Sequence, residues 1–300
     1  MMRALVYLPV LALSWLAACA ELADDGTTAA ANGSEAPDIE NVGRIGSNRI
    51  GSNRIGSNRL SANRIGSNRL SANRIGDSWI GARRMRVNMA AADMLLATPG
   101  GRELFAVLVA CALPDDITLV ATVGGKEFEF LGEMDLAAQW LFVPLDRTGQ
   151  GWVSACTFAK VNAHDVAVEV SFRGPRAGLD TIRNERRVFS VEEGAFFGNL
   201  FVPIDRPIDW FACRGEGQAA GEFGGLVNRD CTEPDAAHPG LTQCGFNFAG
   251  DCGDFADDHA CELFVDQPGF YLGCHNAPIQ RRPRRDDRVF LEVVTTFVMP

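Results

Sequence analysis

Val166-Ala167-Val168-Glu169-Val170-Ser171-Phe172 alternates over seven positions. Val166, Val168, Val170 and Phe172 fall on one side of an extended chain, and Ala167, Glu169 and Ser171 fall on the other. This is the signature of a strand with one buried face. Upstream, Gln150 to Val161 reads as a helix with Trp152, Val153, Cys156 and Ala159 on one side, closed by Asn162. Ile117 to Val123 and Glu127 to Phe130 flank Gly124-Gly125, which predicts a hairpin. Met134 to Trp140 suits a short helix. Further back, Asn88 to Ala97 reads as a helix stopped before Pro99, and Thr98-Pro99 offers the cap and first turn of another. That second helix runs to about Ala112, with Leu104, Val107, Leu108 and Cys111 on one face. Helix, hairpin, helix and strand in this order predict an α+β fold.

Downstream, Gly174 to Arg187 reads as a polar loop and Val188 to Glu192 as a strand. From Trp210 to Cys274 regular patterns fade, six cysteines appear, and Gly, Asp and Pro are dense. This predicts a loop-rich segment held by cross-links. Arg288 to Val298 reads as a final strand returning to the sheet, with Val289, Leu291 and Val293 on one face and Phe290 and Val294 on the other. Leu200-Phe201-Val202-Pro203-Ile204-Asp205-Arg206 nearly repeats Leu141-Phe142-Val143-Pro144-Leu145-Asp146-Arg147. Seven residues do not establish a duplication, and the match reads as coincidence.

The N-terminus sets the compartment. Met1-Met2-Arg3 is a short basic start, and Ala4 to Ala18 is apolar apart from Ser14. The run is shorter than the roughly 20 residues a membrane span needs and fits a secretory leader, residues 1–18. Leu16-Ala17-Ala18-Cys19 resembles the bacterial lipobox, which implies cleavage before Cys19 and diacylglyceryl transfer to its sulfur. The alternative is an ordinary leader with a chance cysteine. Ala20 replaces the Asp that favours inner-membrane retention, which points to the outer membrane. The next best apolar run, Leu104 to Leu113, is too short to span.

Residues 19–43 are small, polar and acidic, with Glu21, Asp24, Asp25, Glu35, Asp38 and Glu40 and no aromatics, so disorder is expected. Residues 44–76 repeat an Arg-Ile-Gly-Ser-Asn pentad, with Arg44, Arg49, Arg54, Arg59, Arg64, Arg69 and Arg74 at the period and Ile or Leu always following. Five residues advance a helix by about 500°, which scatters the Ile residues round the axis, and an odd period alternates strand faces. The unit looks somewhat like a pentapeptide repeat, although Asn stands two places before the apolar residue rather than one. Thirty-three residues are too few for a stable coil stack, so a flexible spacer is expected, with a small solenoid as the alternative.

Charge divides along the chain. The whole chain carries −10. Residues 1–76 hold eight Arg and six acids, giving +2, and residues 77–300 hold 20 basic and 32 acidic residues, giving −12. An acidic body argues against a specific nucleic-acid partner. The arginine repeat suits an anionic surface or polymer, at about 1 kcal/mol per residue near a bilayer; a spacer lengthened by duplication is the bland alternative.

Eight cysteines follow Cys19: Cys111, Cys156, Cys213, Cys231, Cys244, Cys252, Cys261 and Cys274. An even number in an exported chain predicts four disulfides among 105 pairings. Cys111 and Cys156 lie on the buried faces of two predicted helices and are paired on that ground, against the alternative of two free core thiols. Sequence neighbours are expected to pair among the other six, for example Cys213 with Cys231.

Other chemistry is sparse. Asp251, Asp254, Asp257 and Asp258, with Glu262, gather oxygens of the kind calcium takes, but their spacing departs from an EF-hand. A solvated acidic loop is the alternative. His259 and His275 with Cys261 and Cys274 imitate a zinc set that disulfides would pre-empt. Cys156 with His164 is a remote nucleophile pair, and Ser154 lies outside any Gly-x-Ser-x-Gly elbow. Glu192-Glu193 are adjacent carboxylates, which point apart on a strand. There is no Gly-rich phosphate loop and no cofactor is expected.

Cys111-Ala112-Leu113-Pro114, Trp152-Val153-Ser154-Ala155-Cys156, Val161-Asn162 and Glu193-Gly194-Ala195-Phe196-Phe197-Gly198-Asn199 resemble segments of predicted lipoproteins of myxobacterial type. The resemblance covers most of the body and implies an anchored envelope protein without carrying over any activity or site residue. The expectation is therefore a lipid-anchored chain whose residues 77–300 form a disulfide-stapled α+β body, helices packed on a small mostly antiparallel sheet, behind a disordered repeat linker. Its expected role is non-enzymatic, in surface binding or envelope structure; the rival is a secreted hydrolase with unassigned carboxylates. Replacing the seven repeat arginines with serine is expected to abolish salt-dependent co-sedimentation with anionic vesicles; unchanged sedimentation would leave the repeat no surface role.

Overall fold

The computed structural model describes residues 95–161, 168–203, 206, 209–219, 231–253, 258–278 and 287–300. The predicted leader, Cys19, the acidic segment, the arginine repeat and most of the first predicted helix lie outside the described residues. So do Val166, Ala167, His164, Asp254 and Asp257. Among the described residues no helix is long and apolar enough to cross a membrane.

Helix α1 (Pro99–Ala112) starts where its sequence says it should: the Thr98 hydroxyl accepts the Gly101 N–H at 3.0 Å and Pro99 fills the first turn. It ends at Leu113, because Pro114 disfavours helical backbone before it. Strands β1 (Thr118–Val123) and β2 (Lys126–Leu131) form the expected hairpin about Gly124-Gly125, both at positive φ. A short 3-10 turn covers Ala138–Leu141. Helix α2 (Arg147–Ala159) begins three residues before the predicted Gln150, because Asp146 accepts the Gly149 N–H at 2.7 Å and caps it there.

Strand β3 (Ser171–Arg173) keeps only the end of the alternating stretch in a ladder. Val168, Val170 and Phe172 of the predicted face all enter the main core, but the other side of the strand is not exposed: Ser171 is fully buried as well and bonds to Glu185. The expected polar loop contains a second 3-10 turn (Ala177–Leu179) and helix α3 (Arg183–Val188), which displaces the predicted strand to β4 (Val191–Asn199). The segment expected to be loop-rich instead supplies β5 (Asp209–Arg214), the single turn α4 (Glu216–Ala219), β6 (Asn247–Asp251), β7 (Cys261–Val265) and β8 (Phe270–His275). Its strands are only five or six residues long and lack a clean polar–apolar alternation, which hides their period. The predicted last strand is broken at Leu291-Glu292 into β9 (Val289–Phe290) and β10 (Val293–Val298), which belong to different sheets.

Three sheets result among the described residues. The hairpin stands alone, β7-β8-β9 is antiparallel, and the five-stranded sheet runs β3-β10-β4-β5-β6. Within the last, every pairing is antiparallel except β5 with β6. The chain is thus mixed α+β with mostly antiparallel sheets, and its body is layered. Alternate residues of β4 and β10 face opposite ways. Phe196, Val294 and Val298 join the core that holds α1 and α2, whereas Ala195, Phe197 and Val293 join a second core shared with Cys261, Tyr271 and Cys274 of the small sheet. Gly198, at φ +134°, lets β5 come close: a Cβ there would sit 2.0 Å from the Asp209 carbonyl oxygen.

The helix-side core is centred on aromatic rings. Phe158 of α2 meets Trp210 and Phe246, and Phe246 meets Trp210 and Phe196, all edge-on with centroids 5.5 to 6.2 Å apart. Phe158→Ala is expected to lower unfolding free energy by about 3–5 kcal/mol in urea, whereas Phe142→Ala, 68% exposed, should change it by less than about 0.5 kcal/mol.

Candidate functional site

Polar groups collect where β4 runs past β10 and the small sheet. The β4–β10 register shifts between Thr296 and Phe297, leaving Glu193 in a bulge: Gly194 faces Thr296 and Glu192 faces Phe297. The two adjacent carboxylates point to opposite faces. Glu193 turns to the helix side and accepts the Thr296 hydroxyl at 2.8 Å. Glu192 turns to the small sheet and accepts the Tyr271 hydroxyl at 3.0 Å. The Tyr271 N–H in turn donates to the Thr295 hydroxyl at 3.1 Å.

Arg173 at the end of β3 lies on the same side as Glu192. Its guanidinium stacks 3.6 Å from the Phe297 ring centroid and donates to the Ser171 hydroxyl and to the carbonyls of Pro268 and Phe189. Ser171 then donates to buried Glu185 at 2.8 Å. Burial, above all, pulls the Arg173 pKa down to about 10, which leaves it charged at neutral pH. Burial also dominates at Glu192 and pushes its carboxyl up to about 7; Glu216 adds to the rise, and the Tyr271 hydrogen bond and Arg173 oppose it. A carboxyl titrating near neutrality is what proton transfer or pH sensing uses. Arg173 and Glu185 have their capacity taken up by the fold and act as its braces.

All eight cysteines after Cys19 form disulfides: Cys111–Cys156, Cys213–Cys252, Cys231–Cys244 and Cys261–Cys274. The first joins α1 to α2, the pair chosen from their buried helical faces. Cys231–Cys244 and Cys261–Cys274 join sequence neighbours, but the expected Cys213–Cys231 pair is wrong. Cys213 lies near the end of β5, and the parallel pairing of β5 with β6 sets Arg214 against Asp251, which brings Cys252 beside it. A parallel neighbour 39 residues away leaves no local trace in sequence.

The metal candidates fare unequally. Asp251 accepts the Arg214 guanidinium at 2.7 Å, so a cation already neutralises the first calcium candidate, and Asp258 is exposed. Asp254 and Asp257 lie outside the described residues. Among the described residues, Cys213, Cys252 and Cys261 are the one set of metal-type donor atoms brought together. Their sulfurs are bonded in bridges and offer no thiolate. The same applies to the zinc imitation, because Cys261 and Cys274 are joined to each other. Cys156 is consumed by Cys111, which removes the remote nucleophile, and the Ser154 hydroxyl accepts the Leu200 N–H at 2.8 Å in the core.

No family model, curated protein or solved structure matches this chain. Sequence reasoning singled out Glu192 but not its neighbours; Tyr271 and Arg173 reach it only through strand pairing. A folded-state pKa near 7 against an ordinary 4.5 makes Glu192 neutral to stability below about 4.5 and increasingly destabilising as pH rises from 4.5 to about 7, level above. Glu192→Gln keeps the acceptor for Tyr271 without the charge. It should raise Tm at pH 8 by a few degrees, at about 2–4 °C per kcal/mol, and leave Tm at pH 4 unchanged. Equal shifts at both pH values would show that its proton is not linked to folding.

Proposed function

We propose that this chain is a lipid-anchored lipoprotein of the cell envelope, with a non-enzymatic role in holding its acidic body at an anionic surface. The observation that carries the reading is the closure of every cysteine after Cys19 into four bridges, three of them between different helices or strands of the body. Such bridges persist in oxidising compartments and are reduced in the cytosol. A leader ending in Leu16-Ala17-Ala18-Cys19 supplies the route and leaves Cys19 for the lipid. Ala20 favours the outer membrane, and the resemblance to lipoproteins of myxobacterial type agrees. The acidic linker then sets the body off from the bilayer, and the seven arginines of the repeat engage anionic headgroups or polymer.

A second reading, a secreted hydrolase, is favoured by Glu192, whose carboxyl holds a proton near neutral pH with Glu216 acting on it. Against it, Glu193 leaves β4 by the opposite face and is spent on Thr296. Loss by Glu192→Gln of polysaccharide or ester hydrolysis by the purified chain would favour the enzyme.

The anchor is tested directly. The wild-type chain should take up labelled palmitate and partition into detergent, and Cys19→Ser should lose both. Label that survives the substitution, or full-length chain with reduced thiols in the cytosol, would refute the proposal.

A further inference from the structure

Two of the four disulfides touch. Cys213 Sγ lies 3.3 Å from Cys261 Sγ, and these sulfurs belong to different bridges. Backbone hydrogen bonds fix the contact: Cys261 N–H donates to the Cys252 carbonyl at 2.8 Å, Cys252 N–H to Arg214 at 2.8 Å, and Ala260 N–H to Asp251 at 2.6 Å. The four sulfurs sit in the second core with Phe197, Phe211 and Tyr271. Each native bridge stays on its own side of the layer boundary. Cys213–Cys252 ties β5 to the end of β6 in the five-stranded sheet, and Cys261–Cys274 ties β7 to β8 in the small one. The contact between Cys213 and Cys261 crosses that boundary.

We infer that Cys213, Cys252, Cys261 and Cys274 form one thiol–disulfide exchange unit whose reactant is a dithiol, and that partial reduction moves its surviving bridge to Cys213–Cys261. A dithiol, itself oxidised to a disulfide, converts one bridge to two thiols. If Cys261–Cys274 is reduced, the Cys261 thiolate attacks Cys213 Sγ; the Cys213–Cys252 bond breaks and its electron pair leaves on Cys252, which takes up the proton that Cys261 lost. If Cys213–Cys252 is reduced, the Cys213 thiolate attacks Cys261 Sγ and Cys274 is the leaving sulfur, protonated in turn. Exchange requires an attacking thiolate close to a disulfide sulfur; the 3.3 Å contact supplies the proximity from either side, and opening one bridge frees its cysteine side chain to turn into line with the bond it attacks. Both routes converge on one species, a Cys213–Cys261 bridge with Cys252 and Cys274 free. Two electrons taken up thus replace two bridges within sheets by one bridge between sheets, so the layers stay joined while the ends of β6 and β8 are released.

Entry for the dithiol is through β7. It is an edge strand whose Glu262, Leu263 and Phe264 are exposed, and Leu263 takes φ +55° and interrupts the ladder with β8. Such a strand opens before the core does.

The test is limited reduction of the full chain with dithiothreitol under native conditions, acid quenching, alkylation and mass mapping. The expected one-bridge product of this unit carries label on Cys252 and Cys274 and a Cys213–Cys261 cross-linked peptide. Label on native partners alone, Cys213 with Cys252 or Cys261 with Cys274, would overturn the inference, as would direct passage from two bridges to four thiols. Cys274→Ser and Cys252→Ser give a check free of reductant: each should yield the same Cys213–Cys261 bridge, with Cys252 free in the first and Cys274 free in the second. Retention of the remaining native bridge in both would also overturn it.

Discussion

The strand Val293–Val298 has no solvent face, and the rest of the body is assembled around that fact. All six of its residues are buried. It pairs with β3 on one edge and β4 on the other, and its side chains alternate between two cores. Its two threonines carry the polar traffic: Thr295 accepts from Tyr271 of the small sheet, and Thr296 donates to Glu193 in the bulge. A hydroxyl left unmatched in such a place costs about 1–3 kcal/mol, so these bonds select the register as well as stabilise it. The strand's partner residues lie 96 to 126 positions upstream. The central sheet closes only when the whole body is present, the kind of distant pairing that slows folding.

Around this strand the disulfides divide the labour. Cys111–Cys156 clamps the helical layer from within, while Cys231–Cys244 binds a loop that joins the same core. The remaining two bridges meet at the interface between sheets. Each bridge restricts the unfolded chain and so lowers the entropy cost of folding, typically stabilising by about 2–4 kcal/mol. Buried ions are handled similarly. Arg173, Glu185 and Glu193 are held by hydroxyls, carbonyls or an aromatic ring, as burial of charge demands. Glu192, with one hydroxyl and a neighbouring acid, is where that compensation is weakest.

How much of this was readable in advance follows from the range of the forces involved. Helix α1 and its cap, the Gly124-Gly125 hairpin and the buried face of Val168, Val170 and Phe172 depend on residues within a few positions of one another, and the sequence displays them. The division of Arg288–Val298 into β9 and β10 does not, because the alternation continues across Leu291-Glu292 while the chain passes from one sheet to another. The cysteine-rich stretch misled for a related reason: β5 to β8 are only five or six residues long and lack a clean polar–apolar alternation. At the candidate site, Glu192 was visible as an oddity, and Tyr271, 79 residues away, was not.

Local order thus determined the chain's general class: a charged repeat, an acidic body of mixed α and β structure, and an even set of sulfurs after Cys19. Tertiary structure alone decided which sulfurs meet, which carboxylate is left with the least compensation, and which strand lies at the centre. The physical reason is that strand partnership brings together residues far apart in the chain. Composition and periodicity describe each segment's preference for burial, but not the segment against which it is buried.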